Sequence, residues 1–216
     1  MPFVWLFLLL LLVPFLLGTL FFQITTFSFT KLGLSPIGAT ALLSLSVLGS
    51  MVNIPITRRR TVVYRERRVH PFFPMFYYYP PQVQEQVIAV NVGGAIIPVL
   101  FSLYLLVTAK APLGPTLVAA LIIVAVSKAL ARPVRGVGIA IPAFIPPLVA
   151  ALVALVLARD DAAPVAYVSG VLGTLIGADL LNLHRLREIG GQALSIGGAG
   201  VFDGIFLISI IAAFLA

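Results

Sequence analysis

Cysteine is absent from this 216-residue chain, and acidic residues number only seven. The first absence removes disulfides, cysteine-ligated zinc and thiol nucleophiles. Histidine is nearly as scarce: His70 and His184 are the two, both outside the apolar runs, so a serine–histidine dyad lacks its base. No His-Glu-x-x-His segment and no phosphate-cradling glycine loop is present. Neither a metal nor a cofactor is therefore expected. Charge of either sign makes up 10% of residues, against roughly 25% in an ordinary soluble domain.

What fills the chain instead is apolar surface, 61% of residues. A soluble fold of this length leaves too much surface in water to hide that fraction. The composition predicts an all-α fold, a polytopic transmembrane helix bundle forming a single transmembrane domain over residues 1–216. Apolar runs bounded by proline, glycine and charge mark about seven spans, at 3–22, 36–56, 87–108, 113–130, 137–158, 164–183 and 195–216. The first lacks a basic leader and a small-residue cleavage site, so it reads as a helix rather than a signal peptide. The fourth is short and carries Lys128, which makes it the candidate for a re-entrant segment.

The formal net charge of +7 would suggest nucleic acid in a soluble protein. Here the basic residues lie between spans, and no nucleic-acid partner is expected. Arg58, Arg59, Arg60, Arg65, Arg67 and Arg68 follow span two, Arg132 and Arg135 follow span four, and Arg185 and Arg187 follow span six. The opposite side carries Lys31, Lys110 and Arg159. Basic residues collect on the cytoplasmic side, which predicts a cytoplasmic N-terminus, an external C-terminus and residence in the cell membrane. The loop 57–85 alternates its arginines with Val62, Val63 and Tyr64, then runs through aromatics and prolines from His70 to Pro81. Such residues suit an interfacial anchor, with membrane lipids as partners and anionic headgroups at the arginines.

Of the seven acidic residues, only Asp179 and Asp203 fall inside predicted spans. An ionisable group there costs at least a few kcal/mol and is retained for a purpose. Asp179 lies four residues from the cytoplasmic end of its span and Asp203 eight, a depth of roughly 6–12 Å at the helical rise. Asn182 shares a helix face with Asp179, and Asn53, Asn91, Ser127 and Lys128 gather at the same level. Gly170, Gly173 and Gly177 form a small-residue stripe suited to helix packing, and Gly200 lies on the face of Asp203. Gly93-Gly94 with Pro98, and Pro142 with Pro146 and Pro147, are expected to break spans three and five.

Two resemblances attach to these segments. Gly177-Ala178-Asp179-Leu180-Leu181-Asn182 and the stretch from Gly197 to Leu207, with Asn53-Ile54-Pro55 and Asn91-Val92-Gly93-Gly94, resemble an uncharacterised family of prokaryotic multi-pass membrane proteins. The last two spans also resemble the Gly-x-Gly-Asp aspartyl intramembrane proteases: presenilin, signal peptide peptidase and the prepilin peptidases. That resemblance implies Asp179 and Asp203 as catalytic carboxylates, with Asn182, Asn91, Asn53 and Gly200 in support, and a transmembrane peptide as substrate. Ala178 stands where presenilin has tyrosine, and Phe202 where the motif has its second glycine.

Three functions fit these residues. The first is an aspartyl protease using an Asp179/Asp203 dyad. The second is a proton- or cation-coupled transporter or channel using the same carboxylates. The third is an assembly or binding component that works through the 57–85 loop.

Overall fold

The structure, a computed structural model, describes residues 2–63, 82–134, 138–184, 193–198 and 204–216. Among the described residues there are seven α-helices and five strands. The helices are α1 (Pro2–Lys31), α2 (Pro36–Gly49), α3 (Ile97–Val107), α4 (Leu113–Leu130), α5 (Ile145–Leu157), α6 (Ala162–Thr174) and α7 (Gly204–Leu215). The strands are β1 (Asn53–Val63), β2 (Gln82–Asn91), β3 (Arg132–Val134), β4 (Gly138–Ala140) and β5 (Ala193–Ile196).

Helix α6 is the axis of the bundle, packed by α3, α4, α5 and α7. Every residue from Ala162 to Val171 is buried, so that stretch of the helix turns no face to solvent or lipid. Small residues make that possible. A Cβ at Gly173 would meet Ile123 and the Ala120 carbonyl of α4, and one at Gly170 would meet Ser209 of α7. The glycine stripe is thus a packing seam, divided between two neighbours. Phe29 of α1, Phe101 of α3 and Tyr167 of α6 close the core on one side, the last two edge-to-face at 5.3 Å.

Among the described residues three helices are long and apolar enough to cross a membrane: Leu9–Lys31, Leu113–Leu130 and Arg159–Asn182, the last carried on by the turns that follow α6. Helix α4 coincides with its expected span and is one uninterrupted helix. Helix α1 outruns its expected end at residue 22 by nine residues. The polar stretch is accommodated because Thr25 and Ser28 donate their hydroxyls to the Phe21 and Ile24 carbonyls, one turn back.

The helical bundle is as expected, and the strands are the departure from an all-α chain. Four of the expected spans are shorter as helices, because their ends at 53–56, 87–91, 138–140 and 195–196 are extended. β1 and β2 pair antiparallel from Asn53↔Asn91 to Val63↔Gln82, and β5 joins β2 in parallel, giving the order β1-β2-β5. Part of the expected 57–85 loop is therefore a hairpin; residues 64–81 lie outside the described residues. Ile54, Ile56, Thr57, Val62, Val87, Ile88 and Val90 are β-branched and suit a pleated surface. Pro55 is tolerated because β1 is an edge strand and its register shifts between Pro55 and Thr57. Spans three and five change conformation at the expected positions: the π turn Val92–Ile96, with Gly93 and Gly94, separates β2 from α3, and Pro142 falls between β4 and α5. Pro146 and Pro147 lie in the first turn of α5, where a missing N–H is tolerated, and Pro98 lies where the π turn passes into α3.

Candidate functional site

The central helix loses its regular bonding at its arginine-rich end. After Thr174 the chain takes a π turn from Leu175 to Asp179 and a 3-10 turn from Leu180 to Asn182. A π turn holds an extra residue and disturbs the local carbonyl ladder, and such turns concentrate at functional sites. Asn182, 2% exposed, supplies the missing donors: its Nδ2 bonds the Gly177 carbonyl at 3.1 Å and the Ala178 carbonyl at 2.9 Å. Gly177 rests against Val124 and Ser127 of α4, where a side chain would collide.

Asp179 ends this turn, half-buried. Its Oδ2 accepts the Gly197 N–H at 3.0 Å. Gly197 follows β5 with φ +79°, a conformation that favours glycine. The same glycine presses its carbonyl onto Gly94, where a Cβ would strike it. Gly94 belongs to a second π turn, Val92–Ile96, which leads into α3. Two π turns from distant parts of the chain therefore meet across one glycine.

Asn91 holds the second turn in place and is 0% exposed. Its Oδ1 accepts the Gly94 N–H at 2.7 Å, and its Nδ2 donates to the Ser50 carbonyl at 2.7 Å and to Asn53 Oδ1 at 3.1 Å. Asn53 Oδ1 also accepts the Ser195 hydroxyl at 2.9 Å. One polar node thus ties the ends of α2 and β1 to β2, β5 and the deformed end of α6.

A cavity of about 190 Å³ opens beside Asp179, lined by Ile139, Ala140, Ile141, Thr174, Ala178, Asp179 and Ile205. Thr174 is 1% exposed, and its hydroxyl has no hydrogen-bond partner.

Of the residues singled out from sequence, Asp179, Asn182, Asn91 and Asn53 belong to this node. Asn182 acts through the Asp179 turn, and Asn53 with Asn91 through the Gly94–Gly197 contact. Asp203 and Gly200 lie outside the described residues. Lys128 is exposed. Sequence reasoning missed Thr174 and the N–H of Gly197. The spacing of Thr174, five residues before Asp179, carries no helical-face signal, because the π turn changes the phase. Gly197 acts through its backbone, which leaves no side-chain signature at all.

Fold and site together define a helical bundle with three membrane-length helices among the described residues and a polar node at the deformed end of its central helix. The chain belongs to the family described as "Protein of unknown function (DUF1614)", whose model matches residues 47–215. That match includes every residue of the node. No curated protein and no solved structure matches the chain.

Proposed function

We propose that this chain is a multi-pass intramembrane aspartyl protease of the prokaryotic plasma membrane, with Asp179 and Asp203 as its carboxylate pair. One observation carries the reading: described residues on both sides of Asp203 converge on Asp179. Gly197, six residues before Asp203, donates its N–H to the Asp179 carboxylate, and Ile205, two residues after it, lines the cavity beside that carboxylate. Two carboxylates at close range cannot both ionise cheaply, so they share a proton. One then draws a proton from water as it attacks the peptide carbonyl, and the other protonates the leaving nitrogen.

The architecture supports both needs of that chemistry. Water has to reach the carboxylate, and the short helices α2, α3, α5 and α7 leave room for it. At 1.5 Å per residue the 14 residues of α2 rise only about 21 Å, less than the roughly 30 Å hydrocarbon core. Non-helical backbone at such a depth is tolerated where it lines a wet cavity. The substrate has to be extended before its peptide bond is exposed, and β5, an edge strand of its sheet, lies next to Asp179 to receive it. Seven spans with the arginine-bearing ends in the cytoplasm put this site near the inner face. There the β1–β2 arginines meet anionic headgroups.

The test is cleavage of a transmembrane peptide by the purified protein in liposomes. Asp179→Asn and Asp203→Asn are each expected to lower the rate by about a thousandfold or more. Full activity in either variant would end the proposal.

A further inference from the structure

We propose that the cavity beside Asp179 is a specificity pocket that takes one uncharged apolar side chain, of leucine or phenylalanine size, from a substrate residue flanking the scissile bond. This rests on the proteolytic reading and supplies the substrate preference that reading leaves open.

The walls are the first ground. Five of the seven described lining residues are isoleucine or alanine: Ile139, Ala140, Ile141, Ala178 and Ile205. Ala178 and Ile205, 3% and 2% exposed, make a buried floor drawn from the π turn and from the first turn of α7. Ile139 and Ile141 are half-buried on either side of the exposed Ala140, the alternation expected where the chain is extended. β3 pairs antiparallel with that stretch, Pro133 opposite Ile139, and fixes its place. The cavity opens directly beside the Asp179 carboxylate, so the side chain it holds belongs to a residue next to the bond that carboxylate acts on. An apolar side chain on an unwound substrate leaves water as it enters.

Size is the second ground. An apolar cavity of roughly 150 Å³ takes up one benzene molecule. This one, at about 190 Å³, admits the side chain of leucine or phenylalanine. An indole has nine ring atoms to benzene's six and needs roughly 225 Å³ on the same scale. Alanine leaves most of the volume unfilled.

Charge is the third. An acidic side chain would bring a like charge to Asp179 and lose its hydration against isoleucine and alanine. A lysine would hold Asp179 in an ion pair and keep its carboxylate from the proton transfer.

The test is cleavage by the full-length protein in liposomes. The bond cut in one transmembrane peptide is located by mass spectrometry. The residue on each side of it is then varied in turn among Ala, Leu, Phe, Trp, Asp and Lys. At one of the two positions, kcat/KM for Leu and Phe is expected to exceed that for the other four at least tenfold. Ile205→Ala deepens the floor and Ile139→Ala widens the wall, so each should raise the Trp-to-Leu ratio of kcat/KM about tenfold. Ile139 is half-buried, and its variant keeps the test decisive should Ile205→Ala fail to fold. Leu152→Ala, exposed on α5 and outside the lining, should leave the ratio unchanged. Cleavage within twofold for all six residues at both positions would overturn the pocket and leave the protease standing. So would a Trp-to-Leu ratio unmoved by Ile139→Ala, or moved equally by Leu152→Ala. A protein that cleaves no peptide overturns the protease and the pocket with it.

Discussion

Replacing Asn91 should damage this protein far more than replacing Asn53, although the two side chains bond each other. Asn91 is fully buried and makes three hydrogen bonds: from the Gly94 N–H, to the Ser50 carbonyl and to Asn53. Asn91→Ala takes the partner from a buried N–H and from a backbone carbonyl. Each group stranded in this way costs about 1–3 kcal/mol, so the expected loss is about 2–5 kcal/mol. Asn53 is exposed, and water replaces what Asn53→Ala removes, for a loss of about 1 kcal/mol or less. Asn91→Asp is the sharper probe. It keeps the acceptor for Gly94 but turns an oxygen towards the Ser50 carbonyl and Asn53 Oδ1, so it should cost at least as much as alanine despite its matching shape. The assay is unfolding in dodecylmaltoside micelles titrated with SDS, followed by far-ultraviolet circular dichroism. Equal losses for Asn91→Ala and Asn53→Ala, or an Asn91→Asp variant as stable as the parent, would refute the reasoning.

Other outcomes follow from the same geometry. Asn182→Leu strands the Gly177 and Ala178 carbonyls and should cost about 2–4 kcal/mol in the same titration; an unchanged midpoint would mean the π turn needs no side-chain donor. Gly173→Ala drives a Cβ into the fully buried Ile123 and should cost about 1–3 kcal/mol. Gly18→Ala meets open space and should be neutral or gain up to about 1 kcal/mol from helix propensity. A single cysteine at Arg58 or at Lys110, in a chain that has none, should react with a membrane-impermeant maleimide from opposite sides of intact cells. Labelling of both from the same side would break the proposed orientation.

The sequence was most legible where one rule acted alone. Residues 113–130 contain one proline, near the start, and a single charge, and they form the expected helix without alteration. Hydropathy alone cannot separate a short buried strand from a helix end, which is why Ile54, Ile88 and Ile196 were assigned to spans. Their β-branched neighbours were the available signal, and the apolar background masked it. Asp179 and Asn182 were found because polarity in an apolar run is conspicuous. What Asn182 does was not legible, since capping a π turn requires the turn to exist first. The meeting of Gly94 with Gly197 is a matter of tertiary packing, and two glycines in glycine-rich segments do not announce it. Helix α1 shows a further limit: its polar stretch reads as a boundary, yet the hydroxyls of Thr25 and Ser28 bond within the helix and let it continue.

The pairing of Asp179 with Asp203 is the claim on which the functional account turns, and the absence of native cysteine allows it to be measured directly. Asp179→Cys with Asp203→Cys, treated in membranes with dibromobimane, becomes fluorescent only if one reagent molecule bridges both sulfurs. The account predicts strong intramolecular fluorescence in the double variant and none in either single variant. A double variant no brighter than the singles, with both thiols shown to react with a monofunctional reagent, would mean the two positions do not face each other and would contradict the account.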